Sequence, residues 1–526
     1  MSGNKNIDWF WAHRRNASLH HFSFLMYGLR GKGWLPVVDF WFDHQIVVGV
    51  PGKGCYVFYD KNQLSSAGKY RSVQDSIDAN PNFVADFRRR TDEIFGAIFF
   101  KCINIDNENL PLLSPGELLK LYNDFIQAIT VAPVITVQLW GIEACFDEKY
   151  KIAAFLRQRL QELGKSREYE NYKGLLQVNT GETVAVSEQK NFFQVASRIS
   201  QNQELKDLFV SQPASSVAEA LPNHPFENSL IEKHIEKYSW INTEYVSGGW
   251  SKEKWIDLFQ KAITAEVSPE KKLDEVLSNF KNANQEREKI LEELNPPREA
   301  RHAIDSVAEF IAQRDWAKGY FTRILLSYHK LLDEIAVRMG TTRGNLFSYA
   351  YKEIEEYLAS GRMVPDEVIA DRQANGFIIL SKDGGYDILT GRDNIQNIIR
   401  DEGISEPFDK VINVTEFKGL AASPGLIQGK ARVIEDASMV SQLQAGEILV
   451  TYMTTIEFIP AFRKAAAVIT DEGGISCHAA IISREFKIPC VVGTKIATRV
   501  IQTGDQIEVD ATKGLIKILN NDQANE

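Results

Sequence analysis

The sequence has little cysteine, no long apolar run and no surplus of positive charge, and each shortage removes a class of protein. Five cysteines in 526 residues, Cys55, Cys102, Cys145, Cys477 and Cys490, are odd in number, widely spread and without a CxxC pair. They point neither to a disulfide framework nor to a cysteine zinc site, and a reducing cytoplasm is the expected setting. No stretch approaches the ~20 apolar residues needed to cross a bilayer. The first residues, MSGNKNIDWFWAHRRNASLHH, lack the apolar centre of a signal peptide. No membrane partner is therefore expected. A formal net charge of -10 speaks against a nucleic acid held on a broad basic surface. No repeat of solenoid length is visible.

What is present is an ordinary globular composition, 44% hydrophobic and 25% charged, in a chain long enough for roughly three or four domains. GWLPVVDFWFDHQIVVGVPGKGCYVFYD, residues 33–60, places apolar runs on both sides of VPGKG, as strands around a turn. From about residue 80 to 380 the helical period dominates. SPGELLKLYNDFIQAI begins with a capping box of Ser114 and Glu117, and Ile304, Val307, Ile311, Phe321, Ile324, Leu325, Tyr328, Leu331, Leu332 and Ile335 recur at helical steps, predicting one or two long core helices. GFIILSKDGGYDILTG and the acidic RDEGISEPFDKVINVTEFKG read as a hinge or linker. Short strand-like runs then alternate with helical ones. The expectation is a multidomain chain: residues 1–400 mostly helical with an N-terminal β-hairpin, 401–418 a linker, and 419–520 an α/β domain.

The densest chemistry lies near the end. AAAVIT reads as a buried strand, DEGG as a turn, CHAAIISREF as a helix closed before Pro489, and CVVG as a further strand. His478 then falls at the helix start, with Ser476 as the expected N-cap. Unpaired N–H groups and a partial positive charge at a helix N-terminus favour an anion, and Gly473 and Gly474 let backbone approach it. A neutral imidazole can attack phosphorus at pH 7. On spacing alone a capping or packing histidine is the more frequent outcome. No HxxxH or histidine–carboxylate cluster stands nearby, so no metal is expected. Cys477 reads either as a reactive thiol or as a small buried residue.

ASPGLIQGKARVI, GEILVTYMTTIEFIPAFRKAAAVITDEGG and SCHAAIISREFKIPCVVGT, in that order from Ala421 to Asp510, resemble the mobile phosphohistidine domain of the phosphoenolpyruvate-utilising enzymes, such as phosphoenolpyruvate synthase and rifampicin phosphotransferase. By that resemblance His478 carries the phosphate, with Thr470, Gly473, Gly474, Ser476 and Cys477 forming its loop. Arg484 either assists phosphate binding or, the preferred reading, solvates the surface. Gly425 and Gly429 serve turn geometry.

In that family the histidine domain moves between an ATP-grasp domain and a domain that receives the phosphoryl group. Residues 1–410 contain no recognisable Gly-rich phosphate loop, VPGKG being too short, and the chain ends before a phosphoenolpyruvate-binding barrel could follow. The resemblance thus implies one component of a split phosphotransferase. ATP and Mg would be used by a separate ATP-grasp protein, with no cofactor held firmly here and a small-molecule acceptor bound by the helical region. The alternatives are a non-catalytic regulatory or scaffold protein and a self-contained kinase with an unrecognised ATP site. His13, Arg14, His20 and His21 are weak candidates for acceptor contacts, an aromatic core being the preferred reading of their surroundings.

Overall fold

In the computed structural model the described residues lie between 9 and 519, apart from 16–17, 29–43, 52–53, 61–78, 81, 104, 106–107, 131–149, 177–183, 243–248, 266, 383–384, 405–413, 436, 455–457, 463 and 474–476. The chain forms two compact units, one of residues 1–153 and 179–405, the other of 154–178 and 406–526.

The first unit is mostly helical around a five-stranded antiparallel sheet. Strands β1 (Trp9–Arg15), β2 (Gln45–Val50), β3 (Gly54–Asp60), β4 (Phe377–Lys382) and β5 (Gly385–Thr390) are ordered β1-β3-β2-β4-β5. The expected N-terminal hairpin is thus β2 and β3, and GWLPVVDFWF before it lies outside the described residues. GFIILSKDGGYDILTG is not a hinge: it is the β4–β5 hairpin, and Ile46 of β2 pairs with Leu380 of β4. The expected linker also narrows, because Asp401 ends a helix of residues 392–401 and Glu416–Lys418 is a strand, while 405–413 lie outside the described residues.

Helices α1 (Leu19–Gly28), α2 (Phe83–Ile103), α3 (Val184–Gln201), α4 (Lys252–Ile263), α5 (Pro269–Leu294), α6 (Arg298–Arg338) and α7 (Tyr351–Ser360) are among the helices that accompany the sheet. α6 is a single helix of 41 residues. Of its periodic apolar positions, Ile304, Val307, Phe321, Ile324, Leu325, Tyr328, Leu331, Leu332 and Ile335 are buried and Ile311 partly so, and all but Ile304 pack in one core with Val47 and Ile379 of the sheet. The box at residues 114–117 forms as expected, with Ser114 N–H donating to Glu117 Oε2 at 2.8 Å and Glu117 N–H to Ser114 Oγ at 3.3 Å. A second apolar core joins α3 and α4 through Val195, Ile199, Ile256 and Phe259.

The second unit contains an eight-stranded sheet that closes on itself through sequence. Its strands are β6 (Glu416–Lys418), β7 (Leu420–Ser423), β8 (Leu426–Val433), β9 (Ile448–Thr451), β10 (Ala467–Thr470), β11 (Cys490–Val492), β12 (Gln506–Asp510) and β13 (Leu515–Leu519), ordered β6-β13-β12-β8-β9-β10-β11-β7. The two ends of that order are consecutive strands separated by Gly419 alone. Gly419 N–H donates to Gly514 O at 2.8 Å on the β13 side, and a Cβ at Gly419 would stand 2.7 Å from Val492 O on the β11 side. Only a residue without a side chain passes between the two edges. Inside lie Phe417, Ile448, Val450, Ile469, Val491, Ile507 and Ile516, whereas Leu449, Val468, Cys490 and Val492 face a second core with Phe462 and Ala480. This alternation along β9, β10 and β11 is the period of two that a strand covered on both faces requires.

Candidate functional site

The parallel part of this sheet decides where a ligand can sit. β8, β9, β10 and β11 run parallel, with Val433 beside Val450, Thr451 beside Thr470 and Ile469 beside Val491. Their carboxyl ends emerge together, the edge at which open α/β sheets bind ligands. Polar loop residues follow the buried apolar strand residues, YMT after β9, DEGG after β10 and GTK after β11, and burial continues into these loops at Asp471 and Thr494.

Backbone hydrogen bonds lace these three loops together beyond the strands. Asp471 N–H donates to Thr451 O at 3.1 Å and Glu472 N–H to Tyr452 O at 2.8 Å; Thr494 N–H donates to Thr470 O and Lys495 N–H to Asp471 O, both at 3.0 Å. Thr470 is fully buried, and its hydroxyl donates to Glu472 O at 2.7 Å, bending the chain out of the strand. Gly473 follows at φ +122°, and Gly493 at φ +70° packs so closely on it that a Cβ would lie 2.8 Å from Gly473 O.

Asp471 is the residue that spacing did not single out. It is 2% exposed and accepts hydrogen bonds from Thr494 Oγ1 (2.9 Å), Thr498 Oγ1 and Thr498 N–H (3.2 Å). Burial pushes its carboxyl above the usual range, and the bonds from Thr498 and Thr494 oppose that shift. In sequence, TDEGG reads as solvated turn, and nothing marks its first carboxylate as internal. Glu472, its neighbour, stays nearer the surface and pairs with Lys495 Nζ at 2.9 Å.

The helix carrying the candidate histidine, α8 (His478–Phe486), opens with His478 as its first residue. Its N-cap is Cys477, at φ -74° and ψ 165°, and not Ser476 as the capping preference predicts. Ser476 and Gly474 lie outside the described residues. The helix ends with Lys487 in the left-handed region, as expected before Pro489, and β11 starts at Cys490. The helix start therefore stands at the carboxyl edge of β9–β11, and its free N–H groups carry about half a positive charge.

Cys477 packs its sulfur against Gly473. Cys477 is partly exposed, and desolvation raises its thiol above the ordinary value, with the N–H groups of Ala480 and Ala479 opposing. Arg484 is exposed, and its Nη1 donates to Ala422 O at 3.1 Å, tying α8 to β7.

In the first unit the weak acceptor candidates separate. His13 and Arg14 lie on β1. His20 and His21 are completely buried; His20 Nε2 shares a 2.6 Å hydrogen bond with Tyr328 Oη, and His21 Nδ1 one of 2.8 Å with Ser18 Oγ. Desolvation lowers the His20 pKa to about 3 and that of His21 well below its usual value, and both are core residues. Among the described residues no group of three His, Cys, Asp or Glu is placed to hold a metal ion. Nor is any described helix long and apolar enough to cross a membrane.

Comparison with known proteins places this geometry. Residues 443–514 match the family profile "PEP-utilising enzyme, mobile domain", which spans the three loops and α8. A probable phosphoenolpyruvate synthase of Archaeoglobus fulgidus is 36% identical over 184 residues, 35% of this chain and 24% of that protein. The phosphoenolpyruvate synthase of Pyrococcus furiosus is 48% identical over 119 residues, 22% of this chain and 15% of that protein. An uncharacterized phosphotransferase of Bacillus subtilis, YvkC, is 46% identical over 102 residues, 19% of this chain and 12% of that protein. The chain thus spans about a quarter or less of the length of these relatives. Its residues 443–514 are a mobile domain of the phosphoenolpyruvate-utilising enzymes.

Proposed function

We propose that the chain is one component of a phosphotransferase and that His478 carries a phosphoryl group from a separately encoded ATP-grasp protein to a small-molecule acceptor bound by the helical unit. The observation that carries this reading is the place of His478: the first residue of a helix, beside a Gly-containing loop at the carboxyl edge of parallel strands, inside the mobile-domain match.

The chemistry is a pair of displacements. An imidazole nitrogen of His478 attacks phosphorus of the nucleotide, an N–P bond forms, and the P–O bond breaks with its electron pair leaving on the nucleotide oxygen. An acceptor hydroxyl then attacks the same phosphorus, loses its proton to water, and the N–P electron pair returns to the imidazole. The partner uses ATP and Mg; this chain supplies the carrier, the anion-favouring helix start and the loop that shapes it. A tether between the two units keeps the charged histidine at high local concentration near the acceptor.

The test is incubation with β- and γ-labelled ATP, with and without a candidate ATP-grasp protein. Acid-labile label that requires the partner and is absent from His478→Ala is the expected result. Label without a partner would make the chain a self-contained kinase, and undiminished label in His478→Ala would remove His478 from the reaction.

A further inference from the structure

Lys495 adopts φ +66°, the left-handed region that side chains other than Gly and Asn rarely occupy. It stands just past β11, with its N–H on Asp471 O at 3.0 Å and its ammonium on Glu472 Oε2 at 2.9 Å. Backbone strain is kept at a position where glycine would relieve it, and the side chain so held is a cation against the histidine loop.

The loop has two carboxylates, and their situations differ. Asp471 is buried and occupied by Thr494 and Thr498. Glu472 is partly exposed, and its backbone is fixed to Tyr452 O at 2.8 Å, so it cannot swing away with the loop intact. A phosphoryl group brings between one and two further negative charges to the start of α8. Left alone, the Glu472 carboxylate would oppose that charge. Lys495 offsets it and, being 58% exposed on a flexible stem, is free to change partner.

Resting on the reading of His478 as carrier, we propose that Lys495 is the counter-charge of the phosphorylated loop, paired with Glu472 while His478 is unmodified and turned to the phosphoryl oxygens once it is charged. It is a positioning residue in the unmodified chain and a phosphate contact in the charged one. The backbone strain fixes the direction in which its stem leaves β11, and Glu472 keeps the ammonium close to the loop.

The test uses the full chain and potassium phosphoramidate, a small donor that phosphorylates histidine in water without a partner protein, with the N–P signal followed by phosphorus NMR. Lys495→Gly removes the charge and also relieves the backbone, so it should melt no lower than wild type yet charge roughly five-fold more slowly or worse, the size expected for one ion pair. Lys495→Arg should restore the rate. Glu472→Gln should charge faster than wild type, and in Lys495→Gly, where the carboxylate is left unopposed, adding Glu472→Gln should restore part of the lost rate. Wild-type charging in Lys495→Gly, with His478→Ala unlabelled, overturns the role of Lys495 and leaves the carrier intact. Equal signal in His478→Ala and wild type, or no N–P signal in wild type, overturns both.

Discussion

The Cys477 sulfur occupies the space into which a side chain on Gly473 would project: a Cβ built there would lie 2.6 Å from it. The histidine loop is therefore closed by contact between its first glycine and the N-cap of the helix that begins at His478.

Gly473→Ala meets both that contact and φ +122°, and should cost about 1–3 kcal/mol of stability. Gly446→Ala, also at positive φ but with nothing within 4 Å, should cost only about 1 kcal/mol. Thermal melts of the two variants compare strain with strain plus overlap. Equal losses would mean that Cys477 yields freely.

Asp471→Ala orphans the hydroxyl and N–H of Thr498 beneath the loop, while the Thr494 hydroxyl keeps Thr470 O at 3.1 Å, with an expected loss of about 1–3 kcal/mol. Urea unfolding monitored on the second unit measures it. A loss near zero would show that water replaces the carboxylate.

The buried histidines of α1 and the buried Asp471 should respond to acid in opposite senses. His20, with a folded pKa of about 3, and His21, lower than usual, are neutral in the first unit, whereas the unfolded chain takes up their protons near pH 6.5. Their folded pKa values are depressed, so that unit loses stability as pH falls below about 6.5, by up to about 1.4 kcal/mol per pH unit for each histidine. Asp471 has a raised folded pKa, so its contribution is largest at low pH and fades as pH rises through that value. Hydrogen-exchange mass spectrometry between pH 7.5 and 4.5, corrected for intrinsic exchange, resolves the units. His20→Gln should flatten the pH dependence around α1, and an unchanged slope would contradict the assignment.

Arg372, 7% exposed on its side chain, donates to both oxygens of Glu353, at 2.8 and 2.9 Å, while Glu353 also caps α7 by accepting from Ala350 N–H at 2.7 Å. Removing the carboxylate strands a buried guanidinium and uncaps a helix; removing the arginine leaves a capped, partly exposed carboxylate. Glu353→Ala should therefore cost more, about 3–5 kcal/mol, than Arg372→Met. The reverse order in chemical denaturation would refute this.

The site was legible where local rules decide it. The strand, turn, helix and strand around His478 follow from apolar period and Gly–Gly punctuation, and the long core helix from residue 298 to 338 from its repeat. Pairing between distant segments was not legible: β4 lies more than three hundred residues from β2, and KDGG at its end looks the same in a hinge as in a hairpin. Nor does any local signal mark Asp471 as internal or Lys495 as left-handed, since burial and backbone sign there are imposed by neighbouring strand ends. The N-cap moved by one residue for a related reason. Cys477 is held at the helix start by packing on Gly473, which capping preference does not weigh.

Mass spectrometry of the charged chain tests the account most directly. The full-length protein is incubated with a candidate ATP-grasp partner and Mg-ATP, quenched in alkali, digested and fragmented by electron transfer. The phosphoryl increment is expected on His478, lost on brief acid treatment and absent from His478→Ala. An acid-stable increment on a hydroxyl such as that of Ser476, or one elsewhere in the chain with His478 unmodified, would contradict it.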